Sequence, residues 1–161
     1  MGTAAPATDV GSTSGRGGDH AARLPEIGAE PLHLAVSADP RSLGEIRRAL
    51  EGLGLPEMTL RDAVLLTTEL VSNSVRHAAL DPDDLIEVQV ERHAGRLDVT
   101  VRDGGSWVPP DGVAGSIRPA PGAESGWGLY LVERLAVRWG TYRDGGVWFE
   151  LEDAAPGGRT A

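Results

Sequence analysis

The sequence predicts an α+β fold, a two-layer α/β sandwich in which helices cover a mixed, mostly antiparallel sheet. Two observations carry most of that expectation. Four alternating apolar runs fall into two pairs, and each pair is joined by a short glycine-bearing turn, the pattern of hairpins. Three other segments carry apolar residues at helical spacing, giving the order β-α-α-β-β-loop-α-β-β.

Leu32 to Val36 alternates and reads as the first strand. Ser37 or Asp39 is placed to cap a helix that Pro40 begins, where the missing proline N–H costs nothing. Leu43, Ile46 and Leu50 lie on one face of it, and Gly52 or Gly54 ends it. A second helix is expected from Thr59 to about Ala79, with Asp62 completing a variant capping box. Leu85 to Arg92 and Arg96 to Arg102 form a hairpin around Ala94-Gly95. Ser106 to Ser125 has no period and reads as a long loop, a length usually reserved for lids. Gly126 to Arg138 is helical through Leu129, Val132, Leu135 and Ala136. Strands at roughly 138–142 and 147–152 then flank the turn Asp144-Gly145-Gly146.

At 161 residues there is room for one domain, expected over 29–153. The flanks, 1–28 and 154–161, are built largely from small and polar residues and Pro. They cannot bury enough apolar surface to offset their ordering entropy, so both read as disordered tails. Residues 1–28 hold no continuous apolar stretch, so they read as neither a signal peptide nor a membrane span. The formal charge of −9 repels phosphate backbones and argues against direct nucleic-acid binding. All fifteen basic residues are arginine, which excludes a lysine-dependent phosphate loop. With no cysteine, disulfides and thiolate metal sites are excluded too, and the chain fits a reducing interior.

Three short motifs carry chemistry. In the second helix Glu69 and Asn73 are four residues apart and share a face, framed by Leu65, Leu66 and Leu70. Val64, Val71, Val75 and Ala78 take the opposite side. A carboxylate and an amide set among leucines suit a pocket wall, although a solvated Glu/Asn pair has the same spacing. His77, one turn further, reads as a packed or hydrogen-bonding residue. Asp103-Gly104-Gly105 closes the hairpin's second strand. A carboxylate there can accept the amino hydrogens of adenine, and glycine permits close approach of a flat ring. The same three residues also make a good turn. Gly126-Trp127-Gly128-Leu129 opens a helix, where exposed N–H groups and the helix dipole can hold phosphates without lysine. A glycine hinge before a packed helix fits as well. The third glycine and the preceding strand–helix unit of a dinucleotide fingerprint are missing.

Taken together the motifs are far more specific. Helix with E-x-x-x-N, strand-end D-x-G, glycine-rich loop and G-x-G-L follow the order of the N-box and two glycine boxes of the GHKL ATPases. From about Leu32 to Leu151 the chain resembles that histidine-kinase-like (Bergerat-fold) superfamily. Within it, ELVSNSVRHA (69–78) and GWGLYLVERLA (126–136) are most similar to the anti-sigma factor serine kinases.

The resemblance implies ATP and Mg²⁺ as cofactors and a cytoplasmic protein serine kinase. Its partners would be a sigma factor, which it sequesters, and an anti-anti-sigma factor, which it phosphorylates; a homodimer is compatible with it. By the same resemblance Asn73 coordinates Mg²⁺, Glu69 is the general base, and Asp103 holds the adenine amino group with Gly105 beside it. Gly126 and Gly128 let the lid close, and backbone donors near Leu129 bind phosphates. Two positions depart from the family. The threonine often found before the last strand has no counterpart in Asp144-Gly145-Gly146-Val147, and the expected lid offers Arg118 alone as a cation. These departures keep open a second reading, a nucleotide-dependent partner switch with little or no kinase activity.

Overall fold

A computed structural model of the chain describes residues 30–77, 80–81, 83–104, 127–142 and 145–153. The expected tails, the 106–125 loop, Gly105, Gly126 and Arg118 lie outside the described residues, as does the side chain of His77. The elements run β1 (Leu32–Ser37), α1 (Ser42–Glu51), α2 (Glu57–His77), β2 (Leu85–His93), β3 (Arg96–Arg102), α3 (Trp127–Leu135), β4 (Arg138–Thr141) and β5 (Val147–Glu152).

The strands form one sheet in the order β1-β2-β3-β5-β4. Every pairing in it is antiparallel, so the expected mixed sheet contains no parallel neighbour among the described residues. The β2–β3 hairpin turns through Ala94 and Gly95 at φ 45° and 75°, the positive pair that a two-residue type I′ turn requires. That turn sets the register Val90↔Val99 and Val88↔Val101, and strand alternation then sends Ile86, Val88, Val90, Leu97, Val99 and Val101 to one face. β5 adds Val147, Phe149 and Leu151 to the same face.

The helices cover that face. Ile46 and Leu50 of α1, with Ala63, Leu66 and Val71 of α2, are fully buried against it. Burial of each large aliphatic side chain contributes about 1.5–3 kcal/mol, so this layer supplies most of the fold's stability. On the opposite face Asp98 and Glu150 stand directly across from each other and are also buried. Arg96 Nη1 approaches Glu150 Oε1 at 3.5 Å, and His93 Nε2 approaches Asp98 Oδ2 at 3.3 Å.

Of the two helix starts, one follows the local signals and one does not. The α-helix proper of α1 begins at Ser42, over a turn in which the Ser42 N–H donates to the Asp39 carbonyl and the Leu43 N–H to the Pro40 carbonyl. The Arg41 guanidinium and the Arg41 backbone N–H both donate to the Asp39 carboxylate and hold it below the ordinary carboxylate range; the backbone bond, two residues on, is the one a helix cap accepts. Ser42 Oγ donates to the Ser37 carbonyl. Thr59, by contrast, does not cap α2. The Pro56 carbonyl receives the Leu60 N–H at 2.8 Å, so the helix starts earlier, and Thr59 is buried with its hydroxyl donated to the Glu152 carbonyl at the end of β5. α3 ends at Leu135 rather than 138, because the Val137 N–H already donates to Glu150 across the sheet. No helix among the described residues is long and apolar enough to cross a membrane.

Candidate functional site

α2 presents its buried stripe, Ala63, Leu66, Thr67, Leu70, Val71 and Ser74, to the core. Glu69 and Asn73 sit on the shoulder of that stripe, half-buried. Of the three leucines expected to frame them, Leu66 and Leu70 point into the core, whereas Leu65 is 37% exposed. The shoulder is where α3 crosses. A Cβ added to Gly128 would overlap the Asn73 amide nitrogen and lie 3.6 Å from the Glu69 Cβ. A side chain at that position would displace the Asn73 amide, so glycine leaves room for that amide against α3.

β3 brings Asp103 to the same end of the sheet. It follows the last residue of the strand and is 7% exposed, and the chain turns away at Gly104 with φ 64°. Arg102 beside it lays its guanidinium 4.2 Å from the centroid of the Tyr142 ring, which ties the end of β3 to the residue after β4. The approach to β5 completes the wall. Gly146 has φ 123°, and a Cβ there would lie 2.8 Å from the Val101 carbonyl oxygen.

Between these elements lies a small cavity that is partly open to solvent. Its polar side chains among the described residues are Asn73, Ser74 and Asp103. Leu70, Val101, Leu129 and Val147 form apolar walls, with Gly146 at the rim. An apolar slot carrying a few convergent polar groups is the usual form of a small-molecule site. Asn73, Asp103 and Leu129, drawn from three separated motifs, therefore meet in one cavity. Glu69 stands one helical turn from Asn73, against α3, and is outside the cavity lining. Ser74 and Gly146 also belong to the lining, and neither stands at a motif position. The available signals were the position of Ser74 next to Asn73 and the paired glycines before β5.

The donor set suits a hard cation held largely by its ligand. The described residues contain no cluster of three or more His, Cys, Asp or Glu able to hold a metal unaided. One amide beside an open cavity matches the way Mg²⁺ takes few protein oxygens and keeps phosphates and waters for the rest.

The protein family described as histidine kinase-like ATPase domain matches residues 36–155 of the chain. A comparison with curated proteins yields no match. Among solved structures, the RsbU and RsbW domains of Rv1364c from Mycobacterium tuberculosis are similar at 21% identity and a TM-score of 0.53, over 76% of this chain and 32% of that one. A histidine kinase domain from the blue-light activated histidine kinase of Erythrobacter litoralis aligns at 22% identity and a TM-score of 0.48, over 73% of this chain and 61% of that one. The chain thus spans less than two thirds of either solved chain, and the first likeness is one of fold.

Proposed function

The chain belongs to the histidine kinase-like ATPase domain family, and from that premise we propose that it is an ATP-binding anti-sigma regulatory factor that phosphorylates a serine of an anti-anti-sigma partner and sequesters a sigma factor. Family membership implies ATP binding. The observation that carries the reading further is the convergence of Asn73, Asp103 and Leu129 on one cavity. The RsbW domain named in the Mycobacterium tuberculosis structure supports the choice of branch, as does the similarity of residues 69–78 and 126–136 to that branch.

In this reading Asp103 accepts a hydrogen of the adenine amino group while Val101, Leu129 and Val147 exclude water from the ring. The Asn73 amide oxygen would hold Mg²⁺, which when bound neutralises phosphate charge. Gly128 lets α3 bring its N-terminal N–H groups near the phosphates and, with Gly126, lets the lid close, while Gly105 lets the adenine ring approach; Gly105 and Gly126 lie outside the described residues. Glu69, one turn before Asn73 and outside the cavity lining, takes in this reading the proton of an incoming serine hydroxyl without touching the base. Phosphoryl transfer is largely positioning and charge stabilisation, so a single base and a single amide are a sufficient set of side chains.

The test is Glu69→Ala, assayed with a partner that the wild-type protein phosphorylates. ATP binding should persist while transfer falls by roughly 10²–10⁴-fold, the usual contribution of a positioned general base. Transfer at the wild-type rate would remove Glu69 from that role. One observation favours a second reading, a nucleotide-dependent partner switch with little or no transfer. The turn Asp144-Gly145-Gly146-Val147 lacks the threonine that the family often has before the last strand, and Gly146 within it has no room for a side chain. Complexes that respond to ATP with no partner ever phosphorylated would select it.

A further inference from the structure

The cavity contains one hydroxyl among the described residues, that of Ser74, and its geometry points to a role in choosing the base. We infer that Ser74 is a specificity determinant of the site, accepting one hydrogen of a 6-aminopurine while Asp103 accepts the other. This rests on the nucleotide reading of the cavity given above.

Successive residues of a helix are rotated by about 100°, so Asn73 and Ser74 serve different parts of the cavity. Asn73 faces α3, as its overlap with an added Cβ at Gly128 shows. Ser74 is 8% exposed, lies on the buried stripe of α2, and lines the cavity together with Val101, Asp103 and Gly146. The amide therefore lies against α3, and the hydroxyl lines the same cavity as Asp103.

The hydroxyl's polarity is also set. Ser74 Oγ donates its proton to the Leu70 carbonyl at 3.3 Å, one turn back along α2. With the proton engaged, Ser74 offers the cavity lone pairs. A carboxylate and such a hydroxyl are both acceptors. Two acceptors in one apolar slot favour a group with two hydrogens on one nitrogen, which a 6-aminopurine has and a 6-oxopurine lacks. The position before β5 cannot supply this contact. Gly146 combines a positive φ with a Cβ position 2.8 Å from a backbone oxygen, so no hydroxyl-bearing residue fits there.

The experiment measures Mg²⁺-dependent binding of ATP and of ITP, which differ at position 6 of the purine, to wild type, Ser74→Ala, Ser74→Thr and Asn73→Ala. Wild type should prefer ATP. Loss of one neutral hydrogen bond in Ser74→Ala should weaken ATP roughly threefold to tenfold. ITP binding should stay level or improve, so the ATP:ITP ratio falls. Ser74→Thr keeps the hydroxyl and should keep the ratio even if its extra methyl lowers stability, because the ratio is read within one protein. Asn73→Ala should weaken both nucleotides alike. Equal loss of ATP and ITP in Ser74→Ala would make Ser74 a packing residue and overturn the inference, as would no change in either. A wild type that binds ATP and ITP equally also overturns it while leaving the ATP site intact. A wild type that binds neither overturns the nucleotide reading itself.

Discussion

Gly128→Ala separates the stability of the protein from the integrity of its site. The new Cβ would overlap the Asn73 amide nitrogen and lie 3.5 Å from Asn73 Cγ and 3.6 Å from Glu69 Cβ. The last two distances are ordinary contacts, so only the end of one flexible side chain has to give. Forcing Asn73 off its rotamer costs about 0.5–1.5 kcal/mol. Alanine in place of glycine near the start of α3 returns at most about 1 kcal/mol of helix propensity. The two nearly cancel, and the urea midpoint should shift by the equivalent of about 1 kcal/mol or less. Binding has no such compensation. A displaced amide loses its contact to a charged group, worth about 1.5–3 kcal/mol, so Mg-ATP affinity by calorimetry should fall roughly tenfold to hundredfold. In an Asn73→Ala background the same substitution meets no amide. There it should stabilise the fold by up to about 1 kcal/mol and weaken ATP no further. Wild-type affinity in Gly128→Ala would refute the reasoning. So would the same stability change whether or not Asn73 is present.

Gly146→Ala should destabilise by about 2–3 kcal/mol in urea unfolding, since positive φ and a backbone oxygen 2.8 Å from the new Cβ leave nothing flexible to move; a change under about 0.5 kcal/mol would contradict it. Ala94→Asn should raise stability by about 0.5–1 kcal/mol in the same assay, because Ala94 holds φ 45° in a turn position that asparagine occupies readily. A lower midpoint would mean that the turn is held by something other than local backbone preference.

The strands were legible because alternation and turn chemistry are local. Ala94-Gly95 announces its hairpin, and the register follows from it. The start of α2 was not, because a partner outside the local window decided it. Thr59 is a residue type that caps helices, yet its hydroxyl is taken by the Glu152 carbonyl far along the chain. Asp39, by contrast, accepts the Arg41 N–H two residues on, as a cap does. The same division runs through the site. Glu69 and Asn73 declare a common face by spacing alone, whereas Ser74 and Gly146 look like filler until β3 pairs with β5 and shows which wall each forms. The all-antiparallel order also waits on that pairing, since a strand list does not state which neighbours β5 will choose.

That pairing of β3 with β5 also ties the cavity to the folding transition. Among the described residues β2–β3 and β4–β5 are the hairpin pairings; Val99↔Phe149 and Leu34↔Val88 close long loops and carry the larger entropic cost. The cavity draws on α2, the end of β3, α3 and the approach to β5, so no single hairpin or helix pair contains it. It comes into being with the complete sheet and is lost when β5 leaves. A ligand held there therefore acts on the cooperative transition and does not merely stiffen one part of the molecule. At a hundred times its dissociation constant it would add about 2.7 kcal/mol to the unfolding free energy. In a domain whose total stability is of the usual order of 5–15 kcal/mol, occupancy becomes a substantial share of what keeps the chain folded.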